Sequence, residues 1–103
     1  MNNSKIQGID GNDNLLFQKL IWVNENWYPN YDERGSYPNY NGGVLVKLYT
    51  LIDGRFRVII MGADDFGLEK DMDTEEEAFK LYSSIMDWVT IKELTERYGM
   101  VHV

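Results

Sequence analysis

A hairpin signal in the middle of the chain restricts the fold more than any other feature. Two segments rich in apolar residues, 44–52 and 55–61, flank Asp53-Gly54, a dipeptide typical of two-residue turns. A two-residue turn fixes the strand register, so we expect Tyr49 to face Val58. In this register both faces of the hairpin carry apolar side chains. We therefore expect helices to cover one face and the aromatic loop (residues 24–43) or a partner to cover the other.

The segment after the hairpin predicts a third strand. Residues 62–65 suit a turn, and residues 66–72 alternate in a way that allows a strand antiparallel to the second one. On this strand Glu69 and Asp71 share one side, which we expect to be solvated. Acidic side chains also protect an edge strand from pairing with another sheet.

Two capping boxes predict helices in the last third of the chain. Thr74-Glu-Glu-Glu77 predicts a helix that starts at Glu75, with an apolar face over residues 78–89. Thr90-Ile-Lys-Glu93 predicts a break and a second short helix through Tyr98. Gly99 suits the left-handed end of that helix. The last four residues are expected to form a tail or a short strand.

The segment before the hairpin allows two interpretations. We expect residues 1–12 to be flexible and residues 15–24 to form a helix with a broad apolar face. The alternative is a strand over residues 17–23, because Ile-Trp-Val suits a pleated surface. With the helix, the element order is α–β–β–β–α–α. This order defines an α+β fold, a three-stranded antiparallel meander with an N-terminal helix and two C-terminal helices, in a single domain spanning residues 1–103.

Residues 24–43 form an aromatic, Asn-rich loop in this interpretation. They contain both prolines of the chain, and Tyr-Pro-Asn-Tyr occurs twice, at 28–31 and 37–40. Such a composition resembles that of recognition loops, in which rigid aromatic rings supply contact area. The alternative is a lid that folds back over the sheet with its hydroxyl groups at the surface. The candidate partner-binding residues of this loop are Trp27, Tyr31, Tyr37 and Tyr40.

Composition excludes several kinds of protein. The chain has 103 residues, 44% of them hydrophobic, which suffices for one compact core. It has no cysteine, which excludes disulfides and fits a cytoplasmic protein. No signal peptide or membrane-spanning segment is expected. A pI near 4.5 argues against direct binding of nucleic acid.

The acidic charge is concentrated in one stretch. Residues 64–77 hold eight acidic residues and one Lys, a net charge of −7 that equals the charge of the whole chain. Part of this cluster has a structural explanation, because a helix start favours anions. The functional alternative is a negative face that binds a basic protein surface. The candidate residues for that face are Asp64, Asp65, Glu69, Asp71, Asp73, Glu75 and Glu76.

Metal binding and catalysis have little support in the sequence. An EF-hand loop that began at Asp71 would need Gly at 76 and Glu at 82, but the chain has Glu76 and Tyr82 there. A looser calcium site from the acidic residues at 64–71 is the alternative. The single histidine, His102, lies in no motif, and no serine has a nucleophile motif around it. We therefore expect no enzyme activity, no cofactor and no metal.

A small, acidic, cysteine-free chain with this element order resembles the anti-CRISPR and anti-restriction proteins of phages and mobile elements. The resemblance covers size, charge and element order, with no matching motif. It implies a phage-encoded, non-enzymatic inhibitor, a DNA mimic that occupies the basic surface of a host nuclease. The alternatives are a structural or homo-oligomerisation module that uses an apolar sheet face, and a carbohydrate or small-ligand binder that uses the aromatic loop.

Overall fold

The computed structural model describes residues 14–23, 42–62 and 67–103, which form an antiparallel sheet with one α-helix and a short π-helical turn. The sheet order is β1-β2-β3-β4-β5, so each strand pairs with its neighbours in sequence. The elements are β1 (Leu15–Val23), β2 (Gly42–Thr50), β3 (Phe56–Met61), β4 (Gly67–Met72), α1 (Glu75–Ser84), the π turn (Glu93–Arg97) and β5 (Val101–His102).

The hydrophobic core lies on one face of the sheet, which we call the core face. α1 and the residues after it cover this face. Alternate residues of the strands point into the core, and Val46 and Leu48 at its centre are fully buried. The helical side contributes Ala78, Leu81, Tyr82, Ile85, Leu94 and Met100.

The predicted N-terminal helix is wrong, because residues 15–23 form β1, as the alternative interpretation expected. Ile21 and Val23 point into the core, while Leu20 and Trp22, which alternate with them, point to the other side. Helical and strand periodicities were hard to separate here because both sides of the segment carry large apolar residues. β-branched residues and pairing with β2 over the whole strand favour the extended form.

The predicted hairpin exists, but its register is wrong by one residue. Tyr49 pairs with Arg57 and Leu48 with Val58. The connection is a three-residue loop, Ile52-Asp53-Gly54, closed by hydrogen bonds from Leu51 N–H to Arg55 O and from Gly54 N–H to Leu51 O. Gly54 has a φ of +90°, as the bulged end of a three-residue loop requires. In the observed register, which differs from the predicted one by one residue, the apolar side chains of β2 and β3 lie on the same face of the sheet.

The third strand is confirmed as β4, which pairs antiparallel with β3. Two of its predicted properties need correction. The side that carries Glu69 and Asp71 is half-buried rather than solvated. β4 is also paired on its second edge, where Leu68 and Glu69 meet β5.

The first capping box is confirmed, and the second helix is different from the prediction. Thr74 Oγ1 accepts a hydrogen bond from Glu77 N–H, and α1 begins at Glu75. α1 ends at Ser84, five residues earlier than predicted, because Ile85 adopts an extended conformation. Thr90 caps a turn that widens to a π turn, where the Thr95 hydroxyl donates to the carbonyl of Ile91.

The fold class therefore differs from the predicted one. The described residues form a five-stranded antiparallel sheet, mostly β, in place of a three-stranded meander with three helices. β1 replaces the N-terminal helix, and β5 forms where a tail or a short strand was expected. The predicted flexible segment 1–12 and most of the aromatic loop lie outside the described residues.

Candidate functional site

The second face of the sheet, which we call the open face, carries a row of apolar side chains. Residues directly opposite each other in an antiparallel ladder project to the same face. Leu20 pairs with Leu45, Leu45 pairs with Met61, and Met61 pairs with Gly67. At the far edge Val103 N–H donates to Gly67 O at 3.1 Å. The row thus crosses the sheet from β1 to the residue after β5.

These apolar side chains are accessible. Leu20 and Trp22 are 53% and 50% exposed, and Val103 is 64% exposed. Leu45 and Met61, between them, are also exposed. Within the described part of the chain, the helical elements pack on the core face, so none of them shields this row. We call Leu20, Trp22, Leu45, Met61 and Val103 the apolar band.

Two glycines let the apolar band lie flat on the sheet. A Cβ at Gly43 would come 2.8 Å from Leu20 Cδ1, which is closer than carbon atoms approach each other. A Cβ at Gly67 would come 3.2 Å from Val103 Cγ2. The missing side chains leave room for Leu20 and Val103 to lean over their neighbouring strands. The result is a broad, shallow apolar surface.

The other end of the open face is polar and held by Arg57. This buried guanidinium on β3 donates to both carboxylate oxygens of Asp71 on β4, from Nε to Oδ1 at 2.6 Å and from Nη2 to Oδ2 at 2.9 Å. Its Nη1 lies 3.6 Å from Glu69 Oε1, a buried oxygen with no hydrogen-bond partner among the described residues. At this distance the contact between Arg57 and Glu69 is an ion pair without a hydrogen bond.

This ion pair changes the acid–base properties of both groups. The hydrogen bond from Arg57, opposed by partial burial, lowers the pKa of Asp71 below its ordinary value. The same hydrogen bond raises the pKa of Arg57. Asp71 and Arg57 therefore stay charged in the folded protein. They join β3 to β4 on the side of the sheet that α1 leaves uncovered.

Of the seven acidic residues predicted as a binding face, the structure describes five, and it divides them between the open face and the start of α1. Glu69 and Asp71 are engaged by Arg57 on the open face. Asp73 is exposed and lies 3.3 Å from Arg55 Nε. The remaining described members, Glu75 and Glu76, are exposed in the first turn of α1. Asp64 and Asp65 lie outside the described residues, as do Trp27, Tyr31, Tyr37 and Tyr40.

The outer edge of β1 is bound to the segment that follows α1. Trp22 N–H donates to Asp87 Oδ1 at 2.9 Å, and Trp88 N–H donates to Trp22 O at 2.7 Å. Trp88 has a φ of +70°, a strained value for a residue other than glycine. These two bonds hold the edge strand beside the end of the apolar band.

A lysine makes a further contact between β1 and α1. Lys19 Nζ donates to Tyr82 O at 2.8 Å, near the end of α1, and lies 4.4 Å from the centre of the Tyr82 ring. A cation at the C-terminus of a helix is favourable. Burial lowers the pKa of Lys19, an effect that the nearby carboxylate of Asp87 partly opposes.

The described ranges offer neither a metal site nor a membrane-spanning helix. Among residues 14–23, 42–62 and 67–103, no group of three or more His, Asp or Glu side chains is placed to hold a metal ion. The only helices in these ranges are too short or too polar to cross a membrane.

Sequence reasoning missed the apolar band as a set. It recognised that both faces of the hairpin are apolar, but it placed residues 15–24 in a helix, so Leu20 and Trp22 did not appear on the sheet. The strand interpretation with its alternating burial was the signal that would have located them.

No protein-family model matches the chain, and no significant match was found among curated proteins or solved structures.

Proposed function

We propose that this protein is a non-enzymatic, cytoplasmic binding module that contacts another protein through the apolar band on the open face of its sheet. The observation that carries the proposal is the exposed row formed by Leu20, Leu45, Met61 and Val103, with Trp22 beside it. Contiguous apolar patches are uncommon on soluble monomers and mark interaction sites. Tryptophan is enriched among the residues that dominate binding energy.

Much of the surface of these apolar side chains stays in contact with water in the folded protein. Removal of apolar surface from water contributes about 25 cal/mol per Å². The exposed halves of Leu20 and Trp22 remain in water after folding, so they add nothing to the stability of the fold. Polar residues at these two positions would leave the core intact. A partner that covers the band recovers this free energy, whereas folding of the described residues does not.

The acidic residues near the start of α1 have a different role in this proposal. β4 rises about 3.3 Å per residue, so Asp73 lies about 20 Å along the strand from Gly67 and the apolar band. This distance exceeds the screening length of about 8 Å at physiological salt. We therefore assign contact energy to the band, and orientation toward a basic partner surface to Asp73, Glu75 and Glu76. An inhibitor of a basic host protein, such as a nuclease, fits this arrangement.

The direct test is site-specific photo-crosslinking from the open face in cells. A photoreactive amino acid at Leu45 is expected to capture a distinct protein, while the same amino acid at Ile52 is not. Ile52 is an exposed apolar residue in the hairpin loop, away from the band, and is the matched control. Equal adducts from both positions, or none from Leu45, would contradict the proposal.

A mutational test follows once a partner is captured. The double substitution Leu20→Ser and Met61→Ser is expected to weaken partner binding at least about tenfold, since truncating central interface residues costs 1 kcal/mol or more each. Both side chains are exposed, so the circular dichroism spectrum and unfolding temperature should change little. Ile52→Ser is expected to leave binding unchanged.

Self-association is the second candidate function, because the same apolar band could face a second copy. In that case the photoreactive amino acid at position 45 crosslinks only to a second copy of this protein. Sedimentation of the purified protein then shows a mass that rises with concentration. The Leu20→Ser and Met61→Ser variant would then remain a monomer. A single foreign adduct with a monomeric purified protein favours the first function.

A further inference from the structure

A separate groove lies on the core-face side of the molecule, between β4, α1 and the π turn. Its volume is about 480 Å³, within the range of small-molecule sites. The open face and the apolar band are on the other side of the sheet. The lining includes Lys70, Met72, Lys80, Leu81, Arg97 and Tyr98.

The charge of this groove is opposite to that of the whole chain. Three cationic side chains, Lys70, Lys80 and Arg97, line it together with the carboxylate of Glu77, and Glu93, outside the lining, pairs with Arg97. The chain as a whole carries a net charge of −7. An acidic protein that concentrates cations around one concave surface provides a local site for an anion.

The groove also has an apolar floor. Met72 and Leu81 belong to the hydrophobic core and are almost completely buried, yet they line this cavity. The Tyr98 ring adds a partly buried aromatic wall. A ligand here therefore meets apolar surface at the bottom and positive charge at the rim.

Two of the wall residues are held in place. Lys70 Nζ donates to the Tyr98 carbonyl at 3.1 Å, which fixes the ammonium group against the π turn. Arg97 lies at the end of the π turn, and its Nη1 contacts Glu93 Oε2 at 3.1 Å. π-helical turns often occur at functional sites. This one carries Arg97 to the groove and directs the Tyr98 carbonyl toward Lys70.

We propose that this groove binds a small organic anion with an apolar body. The apolar body lies over Met72 and Leu81, and the anionic group lies between Lys80 and Arg97. The proposal does not depend on the function assigned to the apolar band, because the two surfaces share no residue.

The test uses octanoate as the probe and its neutral counterpart, octanamide, as the chemical control. In a titration followed by ¹H–¹⁵N spectra, octanoate is expected to shift the amides of Lys70, Leu81 and Tyr98. Amides beside Leu45 and Met61 should not move. Octanamide is expected to cause much smaller shifts, since it lacks the charge. Equal binding of octanamide, or shifts confined to the open face, would overturn the proposal.

Charge variants provide the second arm of the experiment. Lys80→Gln and Arg97→Gln are each expected to weaken octanoate binding by about threefold to tenfold. Both side chains are exposed, so the fold should be retained. Lys92→Gln removes an equal charge from an exposed position outside the groove, and should change the affinity by less than about twofold. The same loss in all three variants would show that net charge, not this groove, governs binding.

Discussion

Arg57 is the one buried charged residue among those that the structure describes, and its surroundings explain why it remains charged. Its bidentate bond to Asp71 satisfies two of its donors, and Glu69 adds a second negative charge nearby. The Asp71 carboxylate on β4 therefore has a structural role, whereas composition alone would place it in solvent. Reversal of Glu69 and Asp71 would disturb the fold, so these two residues are poor probes of binding.

The stability of the protein should depend on pH through Asp71. Its pKa is lowered in the folded state, so its contribution is present above the unfolded pKa of about 3.9 and is lost as the pH falls through the folded value. We expect Asp71→Asn to lower the free energy of unfolding by about 1 to 3 kcal/mol at neutral pH. The difference from the unmodified protein should shrink below about pH 4.

Urea denaturation between pH 3 and pH 7 measures this effect. Asp73→Asn is the matched control, because Asp73 is exposed and its pairing with the half-exposed Arg55 should contribute less than about 1 kcal/mol. A loss for Asp71→Asn that stays constant across the whole pH range would contradict the assigned role.

At the scale of elements, local signals located turns and caps better than pairings. The Thr74 cap was predictable because its partner, Glu77, is three residues away. The hairpin position was also predictable from Asp53-Gly54, but its register was not. Ile52 joins the loop, and an apolar residue there gives no sign that the loop has three residues. The Arg57–Asp71 pair depends on this register and on β4, so it could not be read from spacing.

The hairpin loop gives a test of backbone conformation without a steric term. No atom lies within 4 Å of a Cβ built on Gly54, yet its φ is +90°. Gly54→Ala is therefore expected to lower the free energy of unfolding by about 1 to 2 kcal/mol from conformation alone. Gly54→Asn should lose less, because asparagine tolerates positive φ better. Equal losses for both substitutions in thermal unfolding would rule out this cause.

β1 shows why the candidate site escaped sequence reasoning. A strand with one buried face is recognised by apolar residues at every second position. In β1 the outward positions that alternate with Ile21 and Val23 are filled by Leu20 and Trp22 of the apolar band, so the alternation is hidden. The residues that make the surface a candidate for binding are the same ones that made the strand resemble a helix.

Across the molecule, the acidic residues around the start of α1 are separated from the apolar band. Asp73, just before α1, lies about 20 Å along β4 from the band, whereas Asp87 lies beside it and accepts a hydrogen bond from Trp22 N–H. Charges at this distance act on the approach of a partner more than on the final contact. The sequence located the acidic stretch correctly, but it did not show that Arg57 engages Glu69 and Asp71.

This separation predicts a kinetic effect of the acidic residues. Glu76→Lys is expected to lower the association rate constant with a captured partner by about threefold or more at low salt. The dissociation rate constant should be nearly unchanged, and the difference should fade at about 0.5 M salt. Surface plasmon resonance measures both. Glu96→Lys makes the same charge change in the π turn, and an equal effect there would show that only net charge matters.

The sequential order of the sheet has a consequence during synthesis. From β2 to β4, each strand pairs with the strand translated before it, so this part of the sheet can grow strand by strand as the chain leaves the ribosome. α1 and the π turn, which cover the core face, are translated only after β4. For that interval neither α1 nor the π turn covers the apolar core face. The growing chain is therefore most vulnerable to aggregation just before the helix arrives, and contact with a ribosome-associated chaperone would be most valuable then.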